Sequence, residues 1–152
     1  MNDSHVTRLL NVDLDIRASS GLEALLHALG SSVVVLNNDD PTFASVEIGT
    51  MDPKSIDEAV LLYFHVIQSL PETARDIWTN AKVRRFNVGI QTESHPYSVE
   101  FPVSARTLSL LKELNAEVVL TVYGPQVNEV RSGDRTTAIS NSNGGTSVAA
   151  AE

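Results

Sequence analysis

Apolar and polar positions fall into short periodic segments along the chain. Leu10-Asn11-Val12-Asp13-Leu14-Asp15-Ile16-Arg17 alternates without a fault, the pattern of a strand with one buried and one wet face. Ser20-Gly21-Leu22-Glu23 reads as a capping box, followed by a leucine stripe at 22, 25, 26 and 29 and by Gly30 as a left-handed stop. Ser32-Val33-Val34-Val35-Leu36 is a continuous β-branched run and predicts a second strand buried on both faces. Residues 37–41 are turn chemistry. A third strand over 42–49 sends Ala44, Val46 and Ile48 one way and Phe43, Ser45 and Glu47 the other.

Asp52 and Pro53 predict the start of a long helix carrying Ile56, Ala59, Val60, Tyr63, Phe64 and Ile67 at helical spacing. A shorter helical stretch over 72–81 holds Ile77 and Trp78. A fourth strand is predicted over 85–91 and a fifth over 97–101, after the His95-Pro96 turn. Ser104 then caps a helix with Leu108, Leu111 and Leu114 inward, and residues 117–123 form a sixth, largely apolar strand. The order βαββαββαβ predicts an α+β fold, a mixed six-stranded sheet with three main helices packed on one face, ferredoxin-like in its first part. Two strand–helix–strand units echo each other, Leu10 to Leu36 and Phe86 to Leu120. A duplication would produce that echo, and so would any two such units of similar size.

Residues 8–124 are predicted to form one α+β domain. Beyond them the periodicity stops, and Gly, Ser, Asn and Thr dominate residues 125–152. That composition predicts a disordered tail, because it offers too little apolar surface to offset the entropy of ordering.

Charge and composition narrow the function classes. Eleven basic against nineteen acidic side chains give a net charge of −8. Such a surface repels phosphate backbones and anionic lipid, so neither nucleic acid nor a membrane is expected as a partner. The absence of cysteine excludes disulfides, a thiol nucleophile and cysteine metal sites. With no basic leader or long apolar run near Met1, a cytoplasmic location is the expectation.

Candidate chemistry is sparse. His5, His27, His65 and His95 show no metal-site spacing, and neither a phosphate loop nor a G-x-S-x-G elbow occurs. No catalytic residue, metal site or cofactor is expected. Asp13 and Asp15 share one side of a strand and could act as an acid pair or hold a hard cation, but alternating acids are also how a strand wets its outer face. Arg84 and Arg85, beside Lys82, are candidate anion-binding residues; a basic group at a helix end also complements the helix dipole. What remains is a surface. With helices on one side, the other side of the sheet should display Asp13, Asp15, Phe43, Glu47, Asn87 and Glu100, a polar and mainly acidic face suited to recognising a protein.

The last third of the chain carries Phe86-Asn87-Val88-Gly89-Ile90-Gln91, Ser104-Ala105-Arg106-Thr107-Leu108, Leu114-Asn115-Ala116-Glu117-Val118 and Thr121-Val122-Tyr123. Over residues 84–124 it resembles the ending of small uncharacterised bacterial α+β domains, in which a strand pair precedes a Ser-x-x-x-Leu helix and a last strand ending in tyrosine. The resemblance implies a bacterial or phage source and a small α+β fold, with no activity to carry over. It also places the chain near families that hold proposed antitoxin and immunity proteins. The expected function is a non-enzymatic protein-interaction module of immunity or inhibitor type. The alternative is a small-molecule-binding regulatory domain acting as a homodimer.

Overall fold

A strand that alternates strictly can lie in the middle of a sheet only if one face is covered and the other left open. The computed structural model, which describes residues 6–49, 53–93 and 98–125, has that arrangement. β1 (Arg8–Arg17) is the central strand and pairs antiparallel with both neighbours, β3 (Phe43–Ile48) and β4 (Val83–Gln91). β2 (Val33–Asn37) lies outside β3, antiparallel to it, and β5 (Glu117–Tyr123) lies outside β4, parallel to it. The sheet order is therefore β2-β3-β1-β4-β5. β1, α1 (Leu22–Leu29) and β2 make a split βαβ unit with β3 between its two parallel strands. The parallel β4–β5 pair needs a crossover, which α4 (Ala105–Glu113) supplies.

Helices cover one face. α2 (Ile56–Gln68) and α3 (Glu72–Asn80) join α1 and α4 there. The core is built from Val12, Leu14 and Ile16 of β1, Ala44 and Val46 of β3, and Phe86 and Val88 of β4, packed against Leu25, Val60, Tyr63, Trp78 and Leu111. Tyr63 is the centrepiece. Its ring meets Phe86 edge to face, with centroids 5.4 Å apart. Its buried hydroxyl donates to the Val46 carbonyl at 2.9 Å and, less closely, to that of Val12 at 3.3 Å, which fastens α2 to two strands. Asp57 of α2 accepts from the Ser104 amide at 3.0 Å and ties the start of α2 to the start of α4. That bond holds its carboxyl below the usual carboxylate range.

Several sequence expectations are corrected. Among the described residues the sheet has five strands rather than six, and four α-helices stand in place of three main ones. Residues 98–101 are not a strand, and Tyr97 lies outside the described residues. The free side of β4 is taken instead by β5. The Ser20 capping box does not form. Gly21 caps α1 at φ +77°, without a side-chain bond, and the close approach of Ile77 leaves no room for a Cβ there. α2 starts at Ile56, later than expected, with Ser55 accepting from the Glu58 amide and Glu58 reaching back to the Lys54 amide. Asp52 lies outside the described residues.

β2 is not buried on both faces. It is an edge strand in which Val33 is buried while Val34, Val35 and Leu36 are exposed. Leu108 likewise points outward, 58% exposed, and Thr107 takes the buried place on α4. The predicted tail beyond residue 125 lies outside the described residues. Among the described residues, no helix is long and apolar enough to cross a membrane.

Tyr63→Phe keeps the ring and removes the hydroxyl, leaving buried carbonyls without that donor. It should destabilise the fold by about 1–2 kcal/mol, read as a lower urea midpoint with an unchanged slope. An unchanged midpoint would show that the Tyr63 hydroxyl does not hold α2 to the sheet.

Candidate functional site

The side of the sheet away from the helices is set by the pairing register. Asp13 lies opposite Asn87, Asp15 lies opposite both Ser45 and Arg85, and Arg17 lies opposite Phe43. Since paired residues share a face, this side also carries Asn11, Glu47, Glu117, Val119 and Thr121. Asp13, Asp15, Phe43, Glu47 and Asn87 are thus brought together, each half-buried between its neighbours. Glu100 is not among them. It sits in the irregular segment before α4, exposed, because the strand that would have carried it is absent.

The charges of this face are unevenly matched. Arg17 donates to Asp40 at 3.0 Å and to Thr42, and lies over the Phe43 ring, 5.1 Å from its centre. Arg85 pairs with Glu117 at 3.4 Å rather than with Asp15 across the ladder. Among the described residues no cation bonds to Asp13, Asp15 or Glu47. Loss of solvent, with Glu47 and Asp15 nearby, pushes the Asp13 carboxyl up to about 6.

A small device positions that carboxyl. Gly89 stands opposite Asn11, and the Asn11 side chain occupies the space a Cβ would need. From there its Nδ2 donates to both Asp13 oxygens at 3.1 Å. Beside it Thr121 donates to Asn87 Oδ1 at 2.7 Å, linking β5 to β4 across the same face. Sequence reasoning missed the Asn11–Gly89 pair. A glycine inside an otherwise regular strand is the signal that could have found it.

Arg84 and Arg85 point to opposite faces and do not form a common anion site. Arg84 spends its guanidinium on the carbonyls of Trp78 and Thr79, at the end of α3, and of Asn115. His27 and His65 are exposed, and His5 and His95 lie outside the described residues. Among the described residues no group of three or more acids or histidines could hold a metal ion.

Among the described residues, clefts large enough for a small ligand include one of about 550 Å³ between the start of α1 and the turn after β2, and a larger one. The larger measures about 650 Å³ and lies between the start of β1, the start of α2 and the segment before α4, lined by Leu9, Leu10, Ile56 and Phe101 with Arg8 and Glu100. Comparison of the chain with protein-family models, with curated proteins and with solved structures returns no match.

The sign of the Asp13 effect follows from its raised value. Ionising Asp13 is harder in the folded chain than in the unfolded one, so a destabilising contribution is absent below pH ~4, grows between pH ~4 and ~6, and is full above that. Asp13→Asn should therefore stabilise the protein above pH 6 by something on the order of 1 kcal/mol once solvent screening is allowed for, and should give no gain below pH ~4. Urea melts at the two pH values check this. An equal effect at both would remove the cost of ionising Asp13, from lost solvent first and nearby carboxylates second, as the cause.

Proposed function

We propose that this chain is a non-enzymatic protein-interaction module of inhibitor or immunity type, whose open sheet face engages a basic surface on its partner. The observation that carries this reading is the trio Asp13, Asp15 and Glu47, held side by side with no cation among the described residues bonded to it, Arg17 bonding to Asp40 and Arg85, opposite Asp15, to Glu117. Carboxylates that repel one another in a partly desolvated place lose that penalty when a partner's Arg or Lys arrives, so the gain appears on binding. Phe43 supplies an aromatic contact at the border of the acidic patch. The net charge of −8 adds long-range attraction for a basic partner and raises the association rate. The resemblance of residues 84–124 to domains near immunity families fits this role.

The test is capture from a lysate of the source organism by tagged full-length chain, in parallel with the Asp13→Lys, Asp15→Lys double variant. One stoichiometric basic protein should bind, release with rising salt, and lose roughly tenfold or more in affinity to the folded variant. Equal capture by both chains would take the acidic face out of the reading.

The cleft beside Leu10 and Phe101 favours a second reading, a small-molecule-binding regulatory domain acting as a homodimer. Its volume falls in the range of small-ligand sites, and its lining mixes apolar walls with a few charged groups. A thermal-shift screen of small metabolites separates the two. A saturable rise in melting temperature that Phe101→Ala abolishes would favour the second reading over the first.

A further inference from the structure

We infer that β5 is the contact edge of a symmetric homodimer, in which two copies pair antiparallel through residues 117–123 and join their sheets into one. The inference stands apart from the acidic face, since it rests on the strand's backbone and on its helix-side residues.

Among the described residues nothing pairs with the outer side of β5, and the strand is regular. All seven residues of β5 pair with β4 without a shift in register. The strand contains no proline, and Glu117 at its start, the single charge, is engaged by Arg85. Exposed edges usually carry charges, prolines or bulges that prevent pairing, and β5 has none of these beyond Glu117 at its start. The other edge does: β2 is five residues long, its register breaks between Val35 and Asn37, and Asn38, Asp39, Asp40 and Pro41 follow.

β5 also extends past the helical layer. Val118, Leu120 and Val122 point to the helix side, yet they are 40%, 60% and 60% exposed. The Tyr123 carbonyl turns toward β4, where the Thr92 amide donates to it at 2.9 Å. Backbone groups alternate in direction along a strand, so Val118, Leu120 and Val122 turn their N–H and C=O groups outward. The free hydrogen-bonding groups and the uncovered aliphatic side chains therefore belong to the same three residues.

Self-pairing suits this strand. Centred on Leu120, antiparallel pairing sets Leu120 against Leu120 of the second copy, Val118 against Val122, Val119 against Thr121, and Glu117 against Tyr123. The helix side becomes an unbroken aliphatic row, and the two glutamates are kept apart. The first two kinds of pair would exchange both backbone bonds. Net charge does not oppose the contact. The β1 strands would lie five strand spacings apart, about 24 Å, well beyond the ~8 Å screening length at physiological salt. A two-fold contact of this kind also closes, whereas β5 pairing with β2 of another copy would propagate into filaments.

The test uses full-length protein in sedimentation equilibrium. The wild-type chain should have twice the monomer mass. Leu120→Lys should halve that mass with an unchanged circular dichroism spectrum, since the side chain is already largely exposed. Because the chain lacks cysteine, Leu120→Cys should cross-link to itself on mild oxidation. A hydrogen-bonded antiparallel pair sets the two Cα atoms about 5.5 Å apart, within disulfide reach. Val34→Cys, on the other edge, should stay uncross-linked. A wild-type monomer at every soluble concentration, a dimer that survives Leu120→Lys, or cross-linking through position 34 in place of 120 would each overturn the inference. If Leu120→Lys does not fold, the cross-linking pattern alone decides.

Discussion

β1 is paired with β4 along nearly its whole length and with β3 from Leu14 to Arg17, and from Leu10 onward every second side chain it carries is apolar. These two facts together constrain the molecule more than any other contact. Slipping β1 by one residue would drive Asp13 and Asp15 into the core and expel Val12, Leu14 and Ile16 to solvent. The hydrophobic core and the acidic face are therefore two consequences of one register. The repulsion around Asp13 is held in place by the burial that β1 provides on its other side. A face of this kind costs the isolated fold some stability while Asp13 is ionised.

How much of this was legible in the sequence depended on how local each cause was. The inward positions of β1 and β3 and the stripe of α2 follow from period two and period 3.6, which neighbouring residues fix among themselves. Asp13, Asp15, Phe43, Glu47 and Asn87 could be assigned to one face for the same reason. Whether a strand lies at an edge depends on partners far along the chain. The run Val33 to Leu36 looks like a doubly buried strand, yet β3 pairs with one side of it and nothing described covers the other. The segment 97–101 has strand-like residues, but the place beside β4 is filled by β5, brought there by α4. Ser104 caps α4 as expected, whereas the starts of α1 and α2 failed for a smaller reason: Ser20 before α1, and Asp52 and Ser55 before α2, are all chemically acceptable caps, and only backbone geometry decides which residue serves.

Gly89 joins the two faces of the problem. In a strand interior glycine is normally a weakness, because it adds no packing and loses more freedom on folding. Here its missing side chain makes room for the Asn11 amide, which in turn orients a carboxylate on the same strand. Any side chain at 89 would displace Asn11 before it touched the core. The site's geometry thus depends on a residue that carries no functional group, next to β5 and two strands from Glu47.

The central position of β1 also shapes how the chain reaches this structure. Its ladder with β4 is the longest in the sheet, and even its closest pair in sequence, Arg17 with Val83, brackets α1, β2, β3, α2 and α3. No local contact can hold those ends together, so the entropy of closing that loop must be met before the ladder repays any of it. α2 and α3 can form within microseconds from their own residues. The β1–β4 ladder forms only when the two ends of that long loop meet, or once the β1–β3 pairing has shortened it.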